Sequence, residues 1–303
     1  MNVTSKTVRL IATTVTFMLV LSCSDQVSTQ ENTLQLQDVN VSKQDDRAQQ
    51  LLHYYTFDNS ANLLTDEQGT FDFVESSADF SSEGLLGGAA VLSKDKFIQM
   101  SESRQRTGYF HDKFYTRSYS VWFKANRTDK THFIIEEGGR INSMALRIRK
   151  NKLMAGVTTR GQRNRVIIKT PFTDTENWHH AAVVFDNGSF SLYLDGTLID
   201  TKQAKFDFVR NHPNGGAIGA RYGGSTFNKK KFWKYCKKKK KHKKHKHKKK
   251  CKRYTGNYFD GMIDEVMVFS TAITPDVITG IIDNATGNDD GGDDDDNGDT
   301  GGR

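Results

Sequence analysis

Residues 178–202, WHHAAVVFDNGSFSLYLDGTLIDTK, constrain the fold of this chain more than any other stretch. Strong β-formers run between two turn signals, Asn187-Gly188 and Asp195-Gly196, which supply the positive-φ residues that tight hairpins need. The stretch predicts three short antiparallel strands in a meander. Side chains alternate along a strand, so in the first of them His180, Ala182 and Val184 share one face and Ala181, Val183 and Phe185 the other. Both faces carry apolar groups, which predicts a strand that lies central in a packed β-structure.

Similar short runs recur along the chain. Strands are expected in LLHYYTFD (51–58), and around 88–92, 97–100, 118–124, 132–136, 145–149, 152–158 and 166–170. They lie about ten residues apart with Gly, Asn or Asp between them, the spacing of a sandwich or jelly roll. Only 3 Pro stand among 25 Gly, beside 19 Phe and 10 Tyr, which suits a β-sandwich whose turns are made by Gly, Asn and Asp. A short helical turn is expected at 275–282. All-β domains often exceed 200 residues, so one domain is expected over 49–286.

The formal charge of +8 is concentrated in one place. Residues 229–253 hold 16 Lys and 1 Arg; without them, 27 basic residues face 36 acidic ones, a remainder of −9. Nucleic acid is therefore not the expected partner. At the N-terminus, Lys6 and Arg9 precede an apolar run, Leu10 to Leu21, that ends at Ser22-Cys23. A run this short predicts an export signal rather than a membrane span. It resembles a bacterial lipoprotein signal over 1–23, with Cys23 as the lipidated residue and the cell envelope as the location; ordinary cleavage and secretion is the other outcome. Residues 24–48 are too polar to offset ordering entropy and are expected to form a disordered tether, as is the Gly/Asp tail, 287–303.

Four segments, in order, carry a family resemblance: YTFDN (55–59), SYSVWFKA (118–125), NWHHAAVVFDNGSFSLYLDG (177–196) and NYFDGMIDEVMVFSTAIT (257–274). The chain resembles the laminin-G-like jelly roll of the concanavalin A-like lectin/glucanase superfamily from Leu51 to Ala285. The resemblance implies an all-β jelly-roll β-sandwich of two antiparallel sheets, with the first and last strands paired. It also implies a non-catalytic binding module, most naturally for polysaccharide at the cell surface, with a glycan-active hydrolase or lyase and a protein-binding adhesion module as alternatives. Structural calcium is common in the family. Here Asp58 would end the first strand and Asp264 lie in the last, so pairing would bring two hard carboxylates to one rim, with carbonyls of 66–69 to complete a shell. The same two residues could equally be turn caps bonded to backbone N–H groups.

Hydrolases of the superfamily place Glu-x-Asp-x-Glu on one strand, and no such triplet occurs here. Glu136-Glu137 and Asp264-Glu265 are adjacent pairs, expected to point to opposite faces, and Asp174-Thr175-Glu176 reads as a turn. His179 and His180 cannot chelate together for the same reason. Trp122 and Trp178 are expected as core anchors. Tyr109, Arg147, Arg149, Arg160, Arg163 and Arg165 are candidate ligand-binding residues, since Arg and Tyr bind hydroxyls, carboxylates or sulfates.

The lysine run reads as a loop insertion, and self-repulsion disfavours compact structure there. Such an arm suits acidic polysaccharide, with Trp233 at its edge for stacking. A tolerated surface insertion is the plainer alternative. Cys236 and Cys251 flank the run, and export would favour a disulfide between them, contributing roughly 3 kcal/mol by chain entropy. His242, His245 and His247 lie among lysines that repel cations, in no zinc-binding spacing.

Overall fold

In a computed structural model, residues 51–69, 73–101, 108–222, 226–227 and 255–287 are described, all within one compact unit. The signal segment with Cys23, the tether, the lysine run with Trp233, Cys236 and Cys251, and the acidic tail lie outside the described residues.

Strands β1 (Leu51–Tyr55), β2 (Glu75–Ser76), β3 (Asp79–Ser81), β4 (Ala89–Leu92) and β5 (Ile98–Gln99) precede the ten-residue β6 (Thr116–Ala125). A run of neighbours follows, β7 (His132–Gly138), β8 (Ser143–Ile148), β9 (Lys152–Thr158) and β10 (Val166–Pro171), and then the meander β11 (His179–Asp186), β12 (Ser189–Leu194) and β13 (Thr197–Gln203). Short strands β14 (Ala217–Ile218), β15 (Arg221–Tyr222) and β16 (Thr255–Gly256) lead to β17 (Gly261–Phe269) and the helix α1 (Pro275–Thr286). One sheet has eight strands, ordered β13-β12-β11-β6-β17-β4-β3 with β1 also on β17; the other has seven, β10-β9-β8-β7-β14-β5-β2. Every pairing in the two is antiparallel, so the molecule is the all-β jelly-roll sandwich expected.

The meander forms because its turns fit. Asn187 and Gly188 take φ of 44° and 100°, and Asp195 and Gly196 take 48° and 75°, the left-handed pair that closes a two-residue hairpin. β11 is central between β6 and β12, and both its faces are buried. Ala181, Val183 and Phe185 enter the core between the sheets; His180, Ala182 and Val184 face the other way. Helix α1 starts at Thr274, whose hydroxyl accepts from Val277 N, with Pro275 in its first turn, and ends at Gly287 in the left-handed conformation. It buries Ile278 and Ile281 and brings Ile282 over Gly196 of the meander. Among the described residues no helix is long and apolar enough to cross a membrane.

The first and last strands pair, with Tyr54 opposite Met267 and Tyr55 opposite Val266. In β17, however, the pairing with β6 is irregular between Asp264 and Met267, and Glu265 has φ 50°. A bulge interrupts the alternation there. The expectation that Asp264 and Glu265 point to opposite faces fails for that reason, and their charges oppose one another.

An ionic network joins the two sheets inside the sandwich. Arg117 and Tyr119 of β6 both bond the Glu137 carboxylate of β7, and His212 Nε2 lies 3.5 Å from it. Arg117 also donates to Tyr109 O at 3.1 Å, and its guanidinium carbon sits 4.0 Å from the Tyr109 ring centroid. Burial opposes the charge on Glu137, yet Arg117 and His212 hold its carboxyl below the usual range. The Tyr109 hydroxyl donates to Phe269 O at 3.3 Å, so ring and hydroxyl are both engaged inside the protein.

Candidate functional site

The two faces of the seven-stranded sheet differ in chemistry because its residues alternate. Ile98, Ile218, Ile135, Leu146, Ala155 and Ile168 form one cross-strand row, and all enter the core. The neighbouring row, Gln99, Ala217, Glu136, Ala145, Gly156 and Ile167, therefore lies on the outer face. Beside it runs a second outward row of Phe133, Arg147, Met154 and Lys169.

Arg221, Tyr222, Thr226 and Phe227 lie over this face. Tyr222 N donates to Glu136 Oε2 at 3.0 Å and the Tyr222 hydroxyl to Gln99 Oε1 at 3.1 Å. Phe97, Tyr222 and the half-exposed Tyr258 cluster there, with Phe97 6.0 Å from Tyr222 and 6.2 Å from Tyr258 between ring centroids. Further along, Thr226 and Phe227 cap the strands: the Thr226 hydroxyl bonds Ser143, Arg165 donates to Thr226 O at 3.2 Å, and Phe227 packs on Phe133 edge-on. Gly156 is needed beneath them, since a Cβ there would come within 3.0 Å of both side chains. The guanidinium carbon of Arg147 lies 3.7 Å from the Phe227 ring centroid. Burial pushes Arg147 below the ordinary arginine value, and Arg149, Arg165 and Arg221 push it the same way while Glu136 opposes them.

The candidate ligand residues divide between places. Arg147 and the exposed Arg149 share the outer face near the β8–β9 turn. Arg160 and Arg163, both exposed, sit beyond the far end of β9, roughly 20 Å away for a seven-residue strand. Tyr109 belongs to the inter-sheet network. Arg221, Phe227 and the Phe97–Tyr222–Tyr258 cluster were not singled out from the sequence; Phe227 and Tyr258 adjoin the lysine run, whose charge masks the local pattern.

The other candidates have structural partners. Trp122 is buried and Trp178 half-buried. His180 is buried with Nε2 2.7 Å from Ser120 Oγ, whereas His179 is clamped between Asp195, 2.8 Å from Nδ1, and Asp174, 3.3 Å from Nε2. Asp174 also accepts from Glu176 N and Asn177 N, as a turn cap. Bonding to Asp195 holds the His179 imidazolium above the usual histidine pKa. Replacing His179 with Gln is expected to lower stability by about 0.5–1 kcal/mol at pH 5 and by less at pH 9, where the wild-type ring has lost its proton. Urea titrations at the two pH values check this, and an equal loss at both would exclude the charged clamp.

Asp58 and Asp264 meet one loop, as the pairing of the end strands demanded. Gly88 N donates to Asp58 Oδ1 at 2.6 Å, and Asp264 Oδ2 accepts from Leu85 N at 2.8 Å and Leu86 N at 3.3 Å. Asp264 Oδ1 takes Glu265 N at 2.9 Å, and Tyr54 bonds the Glu265 carboxylate. Nearby, the Asp66 carboxylate accepts from Tyr54 N and bonds His53 Nδ1, each at 2.8 Å. Among the described residues no three His, Cys, Asp or Glu side chains gather in a metal-holding group. As arranged, these carboxylates cap backbone amides, which does not fit a calcium shell of six to eight oxygens.

Residues 102–231 match a family model, Laminin_G_3, of the concanavalin A-like lectin/glucanases superfamily. No curated protein matches the chain. Among solved structures, the botulinum neurotoxin serotype D binding domain superposes with a TM-score of 0.54 at 13% identity, over 77% of this chain and 50% of that one. The serotype G binding domain gives 0.50 at 9% identity, over 77% and 50%. Domain 4 of AbnA, a GH43 extracellular arabinanase from Geobacillus stearothermophilus, in complex with arabinotriose, gives 0.49 at 20% identity, over 77% and 98%. The chain thus spans about half the length of the toxin domains it resembles. Residues 102–231 thus match the concanavalin A-like lectin/glucanases superfamily, and the flanking strands complete the sandwich in which they lie.

Proposed function

We propose that this protein is a non-catalytic carbohydrate-binding module, exported and held at the cell envelope by a lipid on Cys23. The observation that carries this reading is the outer face of the seven-stranded sheet, where the half-exposed rings of Phe97, Tyr222 and Tyr258 adjoin the polar groups of Gln99, Glu136 and Tyr222. Flat aromatic surface beside a few fixed hydrogen-bonding groups suits sugar rings, which present C–H faces and hydroxyl edges.

A binding role also agrees with where the carboxylates go. Glu136 and Glu137 point to opposite faces of β7, and Glu137 is committed to Arg117 and Tyr119. Asp264 is buried beneath the 84–88 loop, and Glu265 is buried with Tyr54 bonded to it. Neither pair can flank a glycosidic bond from two sides. The lysine run would add long-range attraction for acidic polymers.

Affinity electrophoresis of the full chain through neutral and acidic polysaccharides tests this. Retardation is expected, and Tyr222→Ala should weaken it about three- to tenfold through lost stacking. Release of reducing ends would instead make the protein an enzyme, and retardation by no glycan would remove the carbohydrate reading.

A further inference from the structure

From the guanidinium groups gathered on this face, we infer that it selects saccharides carrying an oxyanion, with Arg147 as the residue that takes the charge. The inference rests on the carbohydrate-binding reading and names the ligand class for that site.

Arg147 is 4% exposed, and its Nε has no hydrogen-bond partner among the described residues. Nη2 lies 3.7 Å from the thioether of Met154, a weak acceptor. Its surroundings are aromatic: Phe227 at 3.7 Å and Phe133 at 5.7 Å from the guanidinium carbon. Arginines this deep ordinarily fork onto a carboxylate or a carbonyl, because an unpaired buried cation is expensive. Glu136 is close enough for its charge to be felt, but Arg149 and Arg165 act on Arg147 in the opposite sense. Among the described residues, then, the Arg147 guanidinium is buried without the forked acceptor that such a group ordinarily takes.

A planar oxyanion would supply what is missing. Two N–H groups of a guanidinium fit the two oxygens of a carboxylate, and such charge-assisted pairs are about twice as strong as neutral ones. The stacked Phe227 ring is a weaker partner for the guanidinium than a forked anion, so a bidentate oxyanion can displace it. Arg149, exposed on the same face, would meet the anion first.

The test uses the full chain and three probes in titration calorimetry at physiological salt: a galacturonic acid trisaccharide, the neutral galactose trisaccharide and a sulfated galactose trisaccharide. Arg147→Met should weaken the acidic probe about tenfold and leave the neutral one unchanged, and Arg147→Lys should restore only part of the loss, having charge without the fork. The lysine run is intact in every variant and contributes equally throughout. Arg147 dependence for the sulfated probe in place of the carboxylated one would assign the oxyanion to a sulfate ester. Equal loss for neutral and acidic probes would give Arg147 a purely structural role and overturn the inference. Neutral binding without preference for either anion would do the same while leaving the carbohydrate reading intact; no binding to any probe would remove both. Phe227→Ala provides a second variant: the acidic probe should bind at least as tightly, and weakened binding would count against displacement of the ring.

Discussion

Glu137→Gln is expected to lower the stability of this protein by about 3–5 kcal/mol, because it strands the Arg117 charge inside the sandwich. Arg117 and Glu137 are both buried, and the carboxylate is shared by Arg117, Tyr119 and His212. The amide of Gln has one acceptor oxygen where the carboxylate had two, so either Arg117 or Tyr119 faces an N–H group instead. The converse change isolates the cause. Arg117→Met combined with Glu137→Leu removes both charges and keeps most of the volume, and buried pairs replaced in this way often cost little. The double variant should therefore be more stable than Glu137→Gln alone, and a double-mutant cycle by urea denaturation measures the difference. A loss under about 1 kcal/mol for Glu137→Gln would mean that water reaches the network and screens it.

Which features could be read from the sequence follows from the range of the interactions behind them. The meander was legible because Asn187-Gly188 and Asp195-Gly196 determine their turns locally, and the burial of both faces of β11 follows from its composition. The family motifs supplied the pairing of β1 with β17, which no local signal contains. The bulge at Glu265 was invisible, since an ordinary residue takes φ 50° there under tertiary constraint and no glycine marks the place. That one residue changed the chemistry of the neighbourhood, bringing Asp264 and Glu265 within reach of each other's charge. The arginines show the same limit. Arg147, Arg149, Arg160 and Arg163 look like one cluster in the sequence, but β9 separates them into two ends, and Arg221 joins Arg147 from a strand more than seventy residues on. Tyr109 looked like surface chemistry and became a lid on Arg117, because its role depends on a strand it meets only in three dimensions.

The same buried groups predict an unusual dependence of stability on pH. Burial lowers His132 and His180 to about 4, so unfolding takes up protons between about pH 4 and 6.5, and these residues stabilise the fold progressively as pH rises through that window. Burial raises Asp264 to about 7 and Glu265 to about 8, so in the fold these carboxyls keep protons that the unfolded chain releases near pH 4, and their contribution falls as pH rises. Between about pH 4.5 and 6.5 two groups of each sign nearly cancel, which predicts a plateau. Above about pH 6.5 His132 and His180 are neutral in both states while Asp264 and Glu265 still titrate, so these two carboxyls should lower stability by about 2–3 kcal/mol by pH 8.5, in the same direction as the loss of the His179 proton. Thermal melts across this range check the shape, and Asp264→Asn with Glu265→Gln should flatten the alkaline limb. Stability that instead climbs from pH 6.5 to 8.5 would show these carboxyls ionised in the fold. Calcium then probes Asp264 independently, together with Asp58: an ion held by Asp58 and Asp264 raises the melting temperature at pH 8.5, whereas carboxylates committed to the amides of Leu85, Leu86 and Gly88 leave it unchanged, and unchanged is the result this arrangement of caps predicts.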